Sequence, residues 1–172
     1  IAFLWSVVDV GCYFFILMLR RQPVSTQCGS SAASYVYKRQ VIQQVLLDIG
    51  CNVAPSIPHT TFESAELLEK YNFVVMGGTT PGHTTDAVAV AFARDAGART
   101  CIIATNVTHV YDKDPREFDD AQSLTKLTID ELAEITGIGE ALAPGASAVI
   151  DPVAVGWAKD ACIDLAMSLI HL

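Results

Sequence analysis

The segment Val75-Met76-Gly77-Gly78-Thr79-Thr80-Pro81-Gly82-His83-Thr84-Thr85-Asp86-Ala87 constrains this chain more than any other. It leads from an apolar stretch, Phe73 to Met76, through a glycine-rich turn into an apolar stretch of helical character. Glycine lets backbone amides approach a ligand closely, and threonine or aspartate caps a helix start. The free N–H groups and the positive end of the helix dipole then form a place for an anion such as phosphate. No Gly-Lys-Ser/Thr follows, so this is not a P-loop, and it is not GxGxxG. An ordinary strand-to-helix turn is the plain alternative, and a lone Gly-Gly would not displace it. Thirteen residues this rich in glycine and small polar side chains are harder to dismiss as such a turn.

Charge sharpens the question of which anion is held, and how. Residues 1–40 hold Arg20, Arg21, Lys38 and Arg39 against Asp9 alone, whereas the rest of the chain has 7 bases against 18 acids. A nucleic-acid groove needs clustered Lys and Arg, so none is expected. A phosphate on so acidic a protein must rely on backbone amides, a metal ion or basic groups from elsewhere. The five cysteines form no CxxC, which excludes zinc-ribbon and thioredoxin-like sites and favours a reduced, cytoplasmic setting. Cys101 and Cys162 read as small core residues.

Two unlike segments follow one another. Residues 1–19 are almost wholly apolar and end at Arg20-Arg21, a pattern that fits a membrane anchor but for Asp9, which is costly in a bilayer. Residues 22–40 are polar, with neither helical nor strand period, and Ser31 to Gln40 resembles translated adapter sequence. Residues 1–40 are therefore read as foreign to the domain, with a membrane anchor as the lesser alternative. From Val41 the pattern becomes regular. Val41, Ile42, Val45, Leu46 and Ile49 have helical spacing, and 61–70 reads as a second helix. Then come a strand at 73–76, a helix at 85–96 and a strand at 101–105. Thr128-Ile129-Asp130-Glu131 is a capping box, Asp151-Pro152 a helix start, and 165–172 a final strand. Such alternation implies α/β architecture with a parallel sheet, whose ligands lie beyond the carboxyl ends of strands.

Three clusters fall at such ends. In the first, His83 either contacts a phosphate or caps the loop, and Asp86 is either a helix-dipole partner or a carboxylate that orients lysines or a metal. The second, Thr105-Asn106-Val107-Thr108-His109-Val110-Tyr111-Asp112-Lys113-Asp114-Pro115, suits a nucleotide base and ribose. It equally suits a solvated loop, and spacing does not decide. The third, Gly145 to Pro152, reads as a structural turn.

Taken together, Gly77 to Ala87, Thr105-Asn106-Val107, Val110-Tyr111, Asp114-Pro115, Asp130-Glu131-Leu132 and Val149-Ile150-Asp151-Pro152 resemble the archaeal-type UMP kinases of the amino-acid kinase family. The resemblance runs from about Val41 to the end. It implies a three-layer αβα sandwich with a mainly parallel sheet, truncated at the N-terminus and at the C-terminus. The implied reaction is transfer of the ATP γ-phosphoryl group to UMP, with magnesium, in a cytoplasmic hexamer. By the same resemblance Thr79, Thr80, Pro81, Gly82, His83, Thr84 and Thr85 bind UMP, and Thr105, Tyr111 and Asp114 contact ATP. Asp86 organises the basic groups around the transferring phosphate.

The sequence also departs from that pattern. No Gly-Gly-Ser phosphate loop precedes Val41; residues 1–40 contain only Gly11 and Gly29. Thr108-His109 replaces the usual Asp-Gly, Thr80 stands where His is common, and Gly156 stands where Lys is common. These departures leave a second reading open, a non-catalytic nucleotide- or anion-binding module of the same fold. They also lead to the expectation that the chain alone phosphorylates UMP negligibly.

Overall fold

The computed structural model describes residues 3–9, 16–19, 31–79, 83–105, 110–112, 119–137 and 150–169. Its principal sheet is built around β3 (Thr100–Thr105), which pairs in parallel with β6 (Asp164–Leu169), Thr100 opposite Asp164 and Thr105 opposite Leu169. On its other edge β3 pairs antiparallel with β1 (Phe3–Asp9), which in turn pairs with β2 (Ile16–Leu19). The order is β2-β1-β3-β6. A two-residue ladder joins β4 (Val110–Tyr111) and β5 (Ser123–Leu124).

The central helix is α3 (Thr85–Asp95), in which every residue from Ala87 to Ala93 is buried. A helix enclosed on all sides must be apolar all round, and here alternate alanines keep it slim enough for neighbours to approach. It lies against β3 and β1, with α2 (Thr61–Leu68) and α5 (Pro152–Asp160) packed on it and α4 (Ile129–Thr136) packed on α5. The core joins Met76, Val88, Val90, Phe92, Cys101, Ile103, Ile150, Val155 and Ile163.

Local signals explain the boundaries. Thr60, Thr84, Thr128 and Asp151 each cap a helix by accepting a backbone N–H. Thr128 and Glu131 form the expected reciprocal capping box, and Gly137 ends α4 at φ 73°, a conformation that favours glycine. Helices α4 and α5 are further linked by Lys159 Nζ to Asp130 Oδ1 at 2.6 Å. That pair is solvent-exposed, so its contribution is small.

The structure corrects the sequence reading at three places, the first being Cys162, expected in the core but exposed just after α5. Helix α1 runs Ser31–Asp48, beginning ten residues before the expected start at Val41. The expected strand at 73–76 is also absent as a strand. Phe73 makes one parallel bridge with Val53, and Val74, Val75 and Met76 are buried without a ladder. Both edges of β3 are already taken, by β1 and β6, so apolar residues that suit a strand have no place beside it. Among the described residues no helix is long and apolar enough to cross a membrane.

Candidate active site

The glycine segment leaves the core at Met76 and returns to it at Ala87, both fully buried. The Cα of Gly77 faces the guanidinium of Arg39 on α1, with which any Cβ would collide. Of the expected UMP-binding residues, Thr80, Pro81 and Gly82 lie outside the described residues. Thr79 is half-buried, His83 exposed, and Thr84 and Thr85 half-buried at the start of α3.

Thr84 is the pivot of this turn. Its Oγ1 accepts the Ala87 N–H at 3.3 Å and so caps α3, while its hydroxyl donates to Asp151 Oδ2. Asp151 caps α5 with its other oxygen, accepting the Val153 N–H at 2.9 Å. The Asp151 N–H donates to Asp86 Oδ2 at 3.3 Å, and Thr85 Oγ1 reaches Asp86 Oδ1 at 3.3 Å. Two helix N-termini therefore converge on one place, with their dipoles adding. Asp86, in the first turn of α3, is half-buried there.

The field of Asp86 is felt beneath it. The Cys101 thiol on β3 is pushed up to about 12, first by burial and then by the negative charge of Asp86. Cys101 therefore stays a neutral, inert core thiol.

His83 is held from the side. Its ring meets Trp157 of α5 edge-on, centroids 5.4 Å apart at 83°. Arg94 lies over the same indole, 5.9 Å from the ring centroid, and donates from Nε and Nη2 to Asp95 Oδ1 at 3.0 and 2.9 Å. Asp95 in turn accepts the Thr61 hydroxyl at 2.6 Å. A cleft of about 340 Å³ lined by Arg94, Trp157, Asp160 and Ala161 opens beside the ring.

Of the expected nucleotide contacts, Tyr111 lies half-buried on β4 and the backbone of Thr105 ends β3, whereas Asp114 is outside the described residues. Sequence reasoning took Asp151 only as a helix start in a structural turn and did not single out Trp157. Asp151-Pro152 signals a helix start, and a cap uses one carboxylate oxygen; the other needs a partner that spacing does not name.

Comparison with known proteins places these features. The amino acid kinase family profile matches residues 29–166. The chain is 49% identical over 94 residues to a uridylate kinase of Methanococcus aeolicus, covering 54% of this chain and 41% of that protein. It is 46% identical over 96 residues to the uridylate kinase of Methanocaldococcus jannaschii, covering 55% and 42%. It thus spans less than half the length of these curated relatives. The crystal structure of uridylate kinase from Archaeoglobus fulgidus superposes with a TM-score of 0.64 at 29% identity, covering 83% of this chain and 72% of that one. The architecture is the α/β sandwich of that fold, and the chain belongs to the amino acid kinase family.

Proposed function

We propose that this chain carries the acceptor side of a UMP kinase, which transfers the γ-phosphoryl group of ATP to UMP and releases ADP and UDP. One observation carries the reading: the glycine–threonine segment enters α3 through the Thr84 cap with Asp86 in its first turn, in a chain that is 46–49% identical to two uridylate kinases over 94–96 residues. Phosphoryl transfer asks a protein mainly to place the acceptor oxygen in line and to neutralise charge. Residues Thr79 to Thr85 supply neutral donors for the UMP phosphate, a suitable arrangement on an acidic surface. Asp86 orients the cationic groups that meet the transferring phosphoryl group. By the resemblance to that family, Thr105, Tyr111 and Asp114 contact ATP.

Magnesium enters this reading with ATP. Among the described residues no group of three or more His, Cys, Asp or Glu side chains comes together to hold a metal. Both oxygens of Asp151 and both of Asp86 are already hydrogen-bonded. Bound magnesium commonly keeps waters and takes many of its ligands from substrate phosphates. The cytoplasm and a homo-hexameric assembly complete the proposal. Residues 41–172 form its kinase domain.

Titration calorimetry of the chain with UMP, CMP and AMP tests the reading. Preferential binding of a pyrimidine monophosphate is expected, and no heat with UMP would overturn it. UMP phosphorylation by the chain alone is expected well below the roughly 1–100 per second of ordinary kinases. A rate inside that range would overturn the expectation that the chain lacks a donor-phosphate loop that the reaction needs.

A further inference from the structure

We infer that Asp151 is a positioning residue of the acceptor site, acting through Thr84 and Asp86; the inference rests on the UMP-binding reading of the 79–85 segment. A residue needed only to start α5 would use one oxygen, as Asp151 does toward the Val153 N–H at 2.9 Å. Its remaining groups are spent on α3. Oδ2 takes the Thr84 hydroxyl hydrogen, and the backbone N–H reaches Asp86 Oδ2 at 3.3 Å. Asp151 is only 5% exposed, one of two buried polar or charged residues among those described, so its partners are fixed by the protein rather than by water.

The consequence for Thr84 is a matter of hydrogen-bond polarity. A hydroxyl has one hydrogen and two lone pairs. A carboxylate beside it can only accept, so the Thr84 hydrogen points to Asp151 and a lone pair is left for the Ala87 N–H at 3.3 Å. That sets the rotamer of Thr84, the residue through which the acceptor segment joins α3. The same carboxylate residue presents its N–H to Asp86. Asp151 thus fixes the last residues of the acceptor segment and the proposed catalytic carboxylate in one geometry, without touching substrate.

The test compares Asp151→Asn, Thr84→Val and the double variant, with Thr128→Ala in the distant α4 cap as a control for general destabilisation. Asp151→Asn keeps a cap oxygen for Val153 and the N–H for Asp86, but an amide can turn a donor toward Thr84. UMP affinity is read by calorimetry and exchange of the Ala87 amide by NMR. Loss of a hydrogen bond to a charged group predicts at least about tenfold weaker UMP binding. Ala87 exchange should rise by about the same factor, and adding Asp151→Asn to Thr84→Val should cost little more. Thr128→Ala should leave UMP affinity unchanged. If the unaltered chain binds UMP and Asp151→Asn binds it equally well, the positioning role is overturned and the functional reading stands. Equal weakening by Thr128→Ala, or full additivity in the double variant, overturns it too. Failure of the unaltered chain to bind UMP removes the functional reading and this role with it. Should Asp151→Asn not fold, unchanged Ala87 exchange and UMP affinity in Thr84→Val would by themselves refute the linkage.

Discussion

Thr84 gives its hydroxyl hydrogen to Asp151 across 67 residues of sequence, and this bond ties the first turn of α3 to the first turn of α5. The two helices also share a packed core, so the contact joins elements that are already held side by side. The bond adds direction to that packing: it holds Thr84, at the end of the glycine–threonine segment, and Asp86 on a common base.

Removing the charge of Asp86 should separate catalysis from binding. In a full-length version that carries the donor-phosphate loop, Asp86→Asn is expected to slow UMP phosphorylation by about 100-fold or more, the scale of losing one electrostatic contribution to a transition state. UMP affinity should change by less than about threefold, because the interaction matters chiefly in the transition state. An unaltered rate would remove Asp86 from the reaction.

Trp157 should report the state of the acceptor segment. Trp5 and Trp157 are the only tryptophans, so Trp5→Phe leaves one emitter. His83 contacts that ring edge-on at 5.4 Å, and UMP binding to the segment should change its emission. His83→Ala is expected to abolish most of the change while binding remains visible by calorimetry. An undiminished signal would place its source at Arg94 or in the cleft beside Trp157 instead.

Alkaline pH should unfold the protein partly through Cys101. Its thiol titrates near 9.0 when unfolded and is pushed up to about 12 in the folded state, by burial and by Asp86. Between those values the unfolded state gives up the proton first, so stability is whole below pH 9 and falls as pH rises toward 12. Urea denaturation at stepped pH should show the decline, and Cys101→Ala should flatten it despite a lower starting stability. An identical slope in the variant would show that other groups govern it.

The α4 capping box should matter on the acid side. The Glu131 carboxylate is held below its ordinary 4.5, first by the Thr128 N–H and then by the Thr128 hydroxyl. The stability linked to this depressed value is present above pH 4.5 and is lost as pH falls through the folded value. Thr128→Ala should lower the melting temperature by about 2–4 °C at neutral pH and by less in acid. A melting temperature that does not move would mean that tertiary packing alone holds the start of α4.

Local chemistry made much of this fold legible in the sequence. The Thr128–Glu131 box, the Asp151-Pro152 start and the limits of α3 and β3 follow from caps, periods and breakers within a few residues of one another. What escaped depends on distant partners. Val74 to Met76 have the composition of a strand, but whether they ladder depends on which strands flank β3. The beginning of α1 at Ser31 has no period to reveal it. The turn into α3 was visible through its glycines and threonines, yet the contacts Thr84–Asp151 and His83–Trp157 were not. Each joins residues more than sixty positions apart, and only packing of α5 on α3 brings them together.

The enclosure of α3 has a consequence for motion. A helix buried from Ala87 to Ala93 has no solvent side toward which to swing, and its side chains fill space already shared with β3, α2 and α5. The helix is therefore a fixed abutment for the turn that enters it at Thr84. Amides in α3 should be among the slowest of the molecule to exchange, with or without nucleotide.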